Sequence, residues 1–150
     1  MDREDRSIDL ALVVLRLTLG IVMMAHGLQK VGVVEGGATS LGNQIEIFGK
    51  MGIPEWLGYL SIAAELLGGL GVLLGLFGRV AAFGIAVNLF VAIAKVHVDK
   101  GLFAKGGGFE LPLALFAMAI ALLFTGMGQY SVDAVMAKTM DKSIGTGGKF

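Results

Sequence analysis

Cysteine is missing from this 150-residue chain, and charge is scarce. Without cysteine there is no disulfide, no thiol–disulfide exchange, no iron–sulfur cluster and no thiolate-ligated metal. Any redox role must therefore use a bound cofactor or a partner. Charged residues make up 16% of the chain, against roughly 25% in a soluble domain. Their formal sum is zero, so nucleic acid is not an expected partner. No internal repeat is visible either, which leaves the inverted-repeat architecture of many transporters without support.

Hydrophobic residues fill the space that charge leaves, at 55% of the chain. Four stretches, Leu10–Leu28, Leu57–Phe77, Val80–Val98 and Leu111–Met127, are apolar enough to cross a bilayer. A hydrocarbon core about 30 Å thick needs about 20 helical residues. The expected fold is an all-α integral membrane four-helix bundle forming a single domain. Its surroundings are a lipid bilayer. Lysine and arginine counts modestly favour the N-terminus, the Gly78-Arg79 turn and the C-terminus on the cytoplasmic face of the membrane. The leader Met1–Arg6 is as acidic as it is basic, and the apolar run before Arg16 is short, so the first stretch reads as a retained helix.

Between the spans, the punctuation is local. Ser7 or Asp9 suits a cap for the first helix. Val31–Thr39 is glycine-rich and loop-like. Over Ser40–Met51, Leu41, Ile45, Phe48 and Met51 recur at helical spacing, which predicts a short helix in the interface. Pro54 suits a helix start, and Trp56 and Tyr59 suit an aromatic belt. Gly78-Arg79 reads as a tight turn, Asp99–Gly108 as a loop and Gly126–Gly128 as a stop. Ser131-Val132-Asp133 predicts the cap of a final helix over Ala134–Met140, with Ile144–Phe150 disordered.

Inside these spans lie Arg16, Glu65 and Lys95, with His26, His97 and Glu110 at or near the ends. A charge at the bilayer centre costs at least ~2.5–3.5 kcal/mol, so such residues imply a polar interior between helices. Straight helices place Arg16 about 9 Å and Asn88 about 12 Å from the cytoplasmic edge, and Glu65 about 12 Å from the opposite edge. His26, Lys95 and His97 fall within about 8 Å of that outer edge, with Lys30 and Glu110 at or beyond it. Arg16, Gly20, Met23, Gly27 and Lys30 form one stripe of the first helix, a packing face that turns inward. Glu65 is expected to pair with His26 or Lys95, or with Arg16 through an extended side chain, Asn88 or water. A cavity in the outer half, lined by His26, Glu65 and His97 with Lys95 and Glu110 as further candidates, follows from the common depth of these residues.

Taken in order, Arg16-x-x-x-Gly20, His26-Gly27-x-x-Lys30, Gly52-Ile53-Pro54, Glu65-x-x-Gly68-Gly69, Gly78-Arg79, His97, Gly108-Phe109-Glu110 and Gly126-x-Gly128-x-x-Ser131-x-Asp133 resemble the DoxX family of small four-helix membrane proteins. The resemblance runs from Leu10 to Asp133. It implies a bacterial or archaeal inner-membrane protein tied to redox metabolism. The family takes its name from a subunit of a thiosulfate:quinone oxidoreductase, and relatives belong to membrane oxidoreductase complexes.

Three functions compete on these residues. In the first, a redox-linked subunit binds a quinone or another small apolar substrate, with Arg16, His26, Glu65, Lys95, His97 and Glu110 as ligand- or proton-handling candidates. Another redox protein or a second copy of the chain is then the partner. In the second, the chain is a non-enzymatic anchor or assembly subunit whose buried charges specify the bundle. There, Arg16 is an ion-pair partner, Glu65 its counter-charge or that of Lys95, and the histidines are satisfied interfacial residues. The third is a small-solute permease. Two histidines make a poor metal site without Glu65 or Glu110, and no metal is expected.

Overall fold

The computed structural model describes residues 3–36 and 40–145, with side chains from 4–36 and 40–142. Among the described residues, six helices longer than one turn succeed one another: α1 (Arg3–Lys30), α2 (Leu41–Lys50), α3 (Glu55–Leu74), α4 (Gly78–Lys100), α5 (Glu110–Thr125) and α6 (Val132–Gly145). The described residues contain no strand. Helices α1, α3 and α4 are long and apolar enough to cross a membrane. Helix α5 is shorter, at 16 residues or about 24 Å, because Gly126 ends it with φ 79°.

Helices α1, α3, α4 and α5 run alternately up and down and close a ring, with α1 and α4 each packed between α3 and α5. Leu19, Met23, Val72, Ile85 and Leu122 are fully buried at its centre. The inward stripe of α1 lies where its pattern requires: Arg16, Gly20, Met23 and Gly27 are buried and Lys30 half-buried. Glycine permits the crossing of α1 and α3, since a Cβ on Gly20 would come within 2.9 Å of the Gly69 carbonyl. In a bilayer, close backbone approach of this kind replaces the hydrophobic effect as the packing force.

Helix α2 starts at Ser40, whose Oγ accepts from the Asn43 amide. It lies against the start of α3, with Phe48 and Ile45 close over Gly58. On its exposed side, the hydrogen bond and charge of Lys50 hold the Glu46 carboxyl below its ordinary range.

Several boundaries differ from the sequence reading. Helix α1 begins before Ser7, so neither Ser7 nor Asp9 caps it. Ser7 Oγ donates to Glu4 O, and buried Asp9 accepts from the Gln129 amide across the bundle. The turn between α3 and α4 falls at Gly75–Phe77 rather than at Gly78-Arg79, with Gly75 and Phe77 both at positive φ. Asp133 receives the Phe77 and Gly78 amides and so caps α4 from a distance. Ser131 does cap the last helix, accepting from Ala134. Of the stretch expected to be disordered, Ile144 and Gly145 belong to α6, and residues 146–150 lie outside the described residues.

Candidate functional site

Two polar clusters divide the bundle, one at each end. The first surrounds Arg16, which is 4% exposed. Its guanidinium donates to Val72 and Leu73 carbonyls at the end of α3, both at 3.0 Å, and to Met127 and Tyr130 carbonyls, at 3.0 and 2.8 Å. The C-terminal carbonyls of a helix have no partners within it. Arg16 therefore ties the end of α3 to the segment after α5. Its partners are backbone carbonyls rather than Glu65.

The second cluster centres on Glu65, which is 5% exposed. Its Oε1 pairs with Lys30 Nζ and accepts from Asn88 Nδ2 at 3.2 Å. Lys30, rather than His26, Lys95 or Arg16, is thus the counter-charge. Lys30 Nζ also sits 5.6 Å from the centre of the Phe48 ring, within cation–π range. Glu65 lies in a π-helical turn, Ala64–Gly68, and a second such turn, Ile93–His97, ends in His97. Turns of this kind add a residue to the helix, rotate the rest of it out of phase and occur often at functional sites.

Between these groups is a cavity of about 790 Å³, within the size range of small-molecule sites. Its walls are mostly apolar, with Met23, Phe48, Leu60, Val87, Leu111 and Leu115 among them. Polar groups enter from α1 (His26, Lys30), α2 (Gln44), α3 (Ser61, Glu65) and α4 (Asn88, His97). Leu57, Leu60, Phe83, Val87 and Val91 line it and are also exposed on the outside of the bundle, so the cavity opens on the apolar flank between α3 and α4. Gly84 belongs to that wall, and a Cβ there would meet nothing within 4 Å.

The structure brings together His26, Glu65 and His97 from the sequence-predicted set. It leaves three others outside. Arg16 serves the opposite end. Lys95 is exposed and does not reach the lining. Glu110 is exposed and accepts from the Ala104 amide, capping the short turn Ala104–Gly106. His97 Nδ1 donates to the Gly107 carbonyl at 2.6 Å, which anchors this loop over the cavity. No group of three or more potential metal-ligating side chains gathers among the described residues.

Lys30, Gln44 and Ser61 join the site only in the structure, and Asn88, expected to relay Arg16 to Glu65, donates to Glu65. Lys30 did carry a signal, since it ends the inward stripe of Arg16.

The DoxX family profile matches residues 11–98. The chain belongs to the DoxX family. The match takes in the cavity's polar residues, from His26 to His97, as well as Arg16. CatD of Bacillus subtilis (strain 168), provisionally designated an oxidoreductase, is 31% identical over 134 residues, covering 89% of this chain and 92% of CatD. An uncharacterized protein of Haemophilus influenzae is 25% identical over 80 residues, 53% of each chain. No solved structure matches. As a DoxX protein with membrane-spanning helices, the chain is a membrane protein.

Proposed function

We propose that this DoxX protein is a redox-linked membrane subunit that receives a quinone or a similar small apolar redox molecule in the Glu65 cavity. The observation that carries this reading is the cavity itself. It is apolar and open on the lipid-facing flank, yet holds an ion-paired carboxylate, an amide and two histidines at its polar end. A molecule that partitions into the bilayer can enter from the side and meet convergent polar groups. The relation to CatD supports the redox assignment. Such a molecule supplies the electron chemistry, which none of the chain's own side chains provides. The chain binds and orients it, and electrons pass to another redox protein; a second copy of the chain is the alternative partner in the assembly. The membrane is the bacterial or archaeal cytoplasmic membrane, with both termini on its cytoplasmic face. A reporter active only after export, fused after Phe150, should stay silent, and activity there would overturn that topology.

Gly84→Leu tests the cavity. A Cβ at this lining position meets nothing within 4 Å, so the new side chain starts in open space on the cavity wall, and leucine is the better helix former by up to about 1 kcal/mol. In purified protein, affinity for a short-tailed quinone should fall at least about tenfold, or about 1.4 kcal/mol. Thermal stability should hold or rise. Unchanged binding in the folded variant would remove the cavity as the site. The Arg16 cluster favours a second reading, that of an anchor or assembly subunit, because its bonds all serve the backbone. That reading stands if no quinone binds the wild-type protein.

A further inference from the structure

Glu65 Oε2 is buried and has no hydrogen-bond partner, alone in this among the side-chain atoms of the described residues. Its neighbour Oε1 takes both Lys30 Nζ and Asn88 Nδ2. A carboxylate in an ion pair offers acceptors only, and a buried acceptor without a donor is costly. Glu65 belongs to the cavity lining, but Oε2 itself is closed off from the cavity space, so a molecule there supplies that donor once the carboxyl tilts toward it. His97, on the same lining, donates Nδ1–H to the Gly107 carbonyl, so in the tautomer that leaves Nε2 unprotonated that nitrogen is a further acceptor.

We infer that the cavity selects its apolar ligand by a hydroxyl donor, and so takes a hydroquinone in preference to the quinone. This rests on the function proposed above and narrows its substrate class. A hydroxyl gives its proton to Oε2, and its oxygen can still accept one of the remaining protons of Lys30 or Asn88. A carbonyl can only accept, and leaves Oε2 without a partner.

Replacing Glu65 by glutamine reverses the sign. Lys30 Nζ and Asn88 Nδ2 both donate at the Oε1 position, so the amide oxygen must stay there. The amide nitrogen then takes the place of Oε2. The unpaired atom becomes a donor, and an acceptor-only ligand is favoured.

The experiment uses wild-type protein and Glu65→Gln in lipid nanodiscs, with 4-nonylphenol and its methyl ether as redox-inert probes. The ratio of the two affinities is compared between the proteins, which cancels partitioning into lipid. The wild-type ratio should favour the phenol by at least about tenfold more than the variant's, equivalent to about 1.4 kcal/mol. Equal ratios in two folded proteins that both bind would overturn this inference and leave the cavity reading intact. Binding of neither probe, nor of a quinone, would overturn both. If Glu65→Gln alone does not fold, Lys30→Met/Glu65→Gln carries the same test, because the Asn88 donor still orients the amide. 1-Dodecanol separates the two sources of a hydroxyl. Failure to compete with the phenol supports the aryl hydroxyl, whereas equal competition assigns the site to an aliphatic membrane alcohol and overturns the hydroquinone.

Discussion

Arg16→Met is expected to destabilise the protein by about 3–5 kcal/mol, the scale for removing one member of a buried charged network. Four carbonyls, from Val72, Leu73, Met127 and Tyr130, lose a charged donor at once. Water cannot replace it easily, since Arg16 is buried and the surroundings are tightly filled. A Cβ on Gly75 would already fall 2.8 Å from its guanidinium. Arg16→Lys should recover less than half of the loss. An ammonium keeps the charge, but it is a point donor on a flexible stem. The planar guanidinium reaches two chain segments together. Equilibrium unfolding in mixed micelles would measure both variants. A lysine variant as stable as the wild type would mean that charge alone matters there and that the fork geometry does not. Ligand binding at the far end should change little in any Arg16 variant that remains folded, because Arg16 is not part of the cavity lining.

Lys30→Met should cost a similar amount, about 3–5 kcal/mol, for a different reason. It leaves the Glu65 carboxylate buried, with only Asn88 donating to it. Removing both charges in Lys30→Met/Glu65→Met should restore most of the stability. The desolvation cost disappears with the charges, and methionine fills irregular space well. The double-mutant cycle gives the coupling directly. A coupling below about 1 kcal/mol, as in exposed pairs, would show that Lys30 behaves as a surface residue. On the inferred selection of a hydroxyl donor by Glu65, the double variant should be stable and yet unable to discriminate between phenol and ether. Stability and recognition would then separate at one pair of residues.

Much of this architecture is legible along the chain. The 4-3-4-3 spacing of Arg16, Gly20, Met23, Gly27 and Lys30 marks the buried face of α1, because a packed helix must place small and polar residues on the side away from lipid. Leu41, Ile45 and Phe48 mark α2 by the same periodicity. The level shared by His26, Glu65 and His97 also comes from counting residues along straight helices. Lys95 and Glu110 show where that counting ends. Depth places a residue along a helix and says nothing about which way it faces. Lys95 turns outward, and Glu110 is taken by the amide of Ala104.

The π-helical turns at Ala64–Gly68 and Ile93–His97 escaped sequence reading altogether. An apolar helix in lipid shows no break in pattern when one residue is added. Each added residue nevertheless turns the rest of the helix by about 100°. Gly75 gave no clear turn signal either, among the many glycines around it.

By itself, then, the sequence determined the class of this protein: a cysteine-free, apolar, all-α membrane chain with a few ionisable groups that lipid would exclude. It also determined which face of α1 turns inward, since both depend on composition and period. Only the tertiary structure decided the partners. Arg16 satisfies carbonyls left open at the end of α3, Lys30 pairs with Glu65, and Asp133 caps a helix some 55 residues away. Such choices depend on helix rotation and on ångström-scale reach, which the packing of all four helices sets together and no single segment encodes.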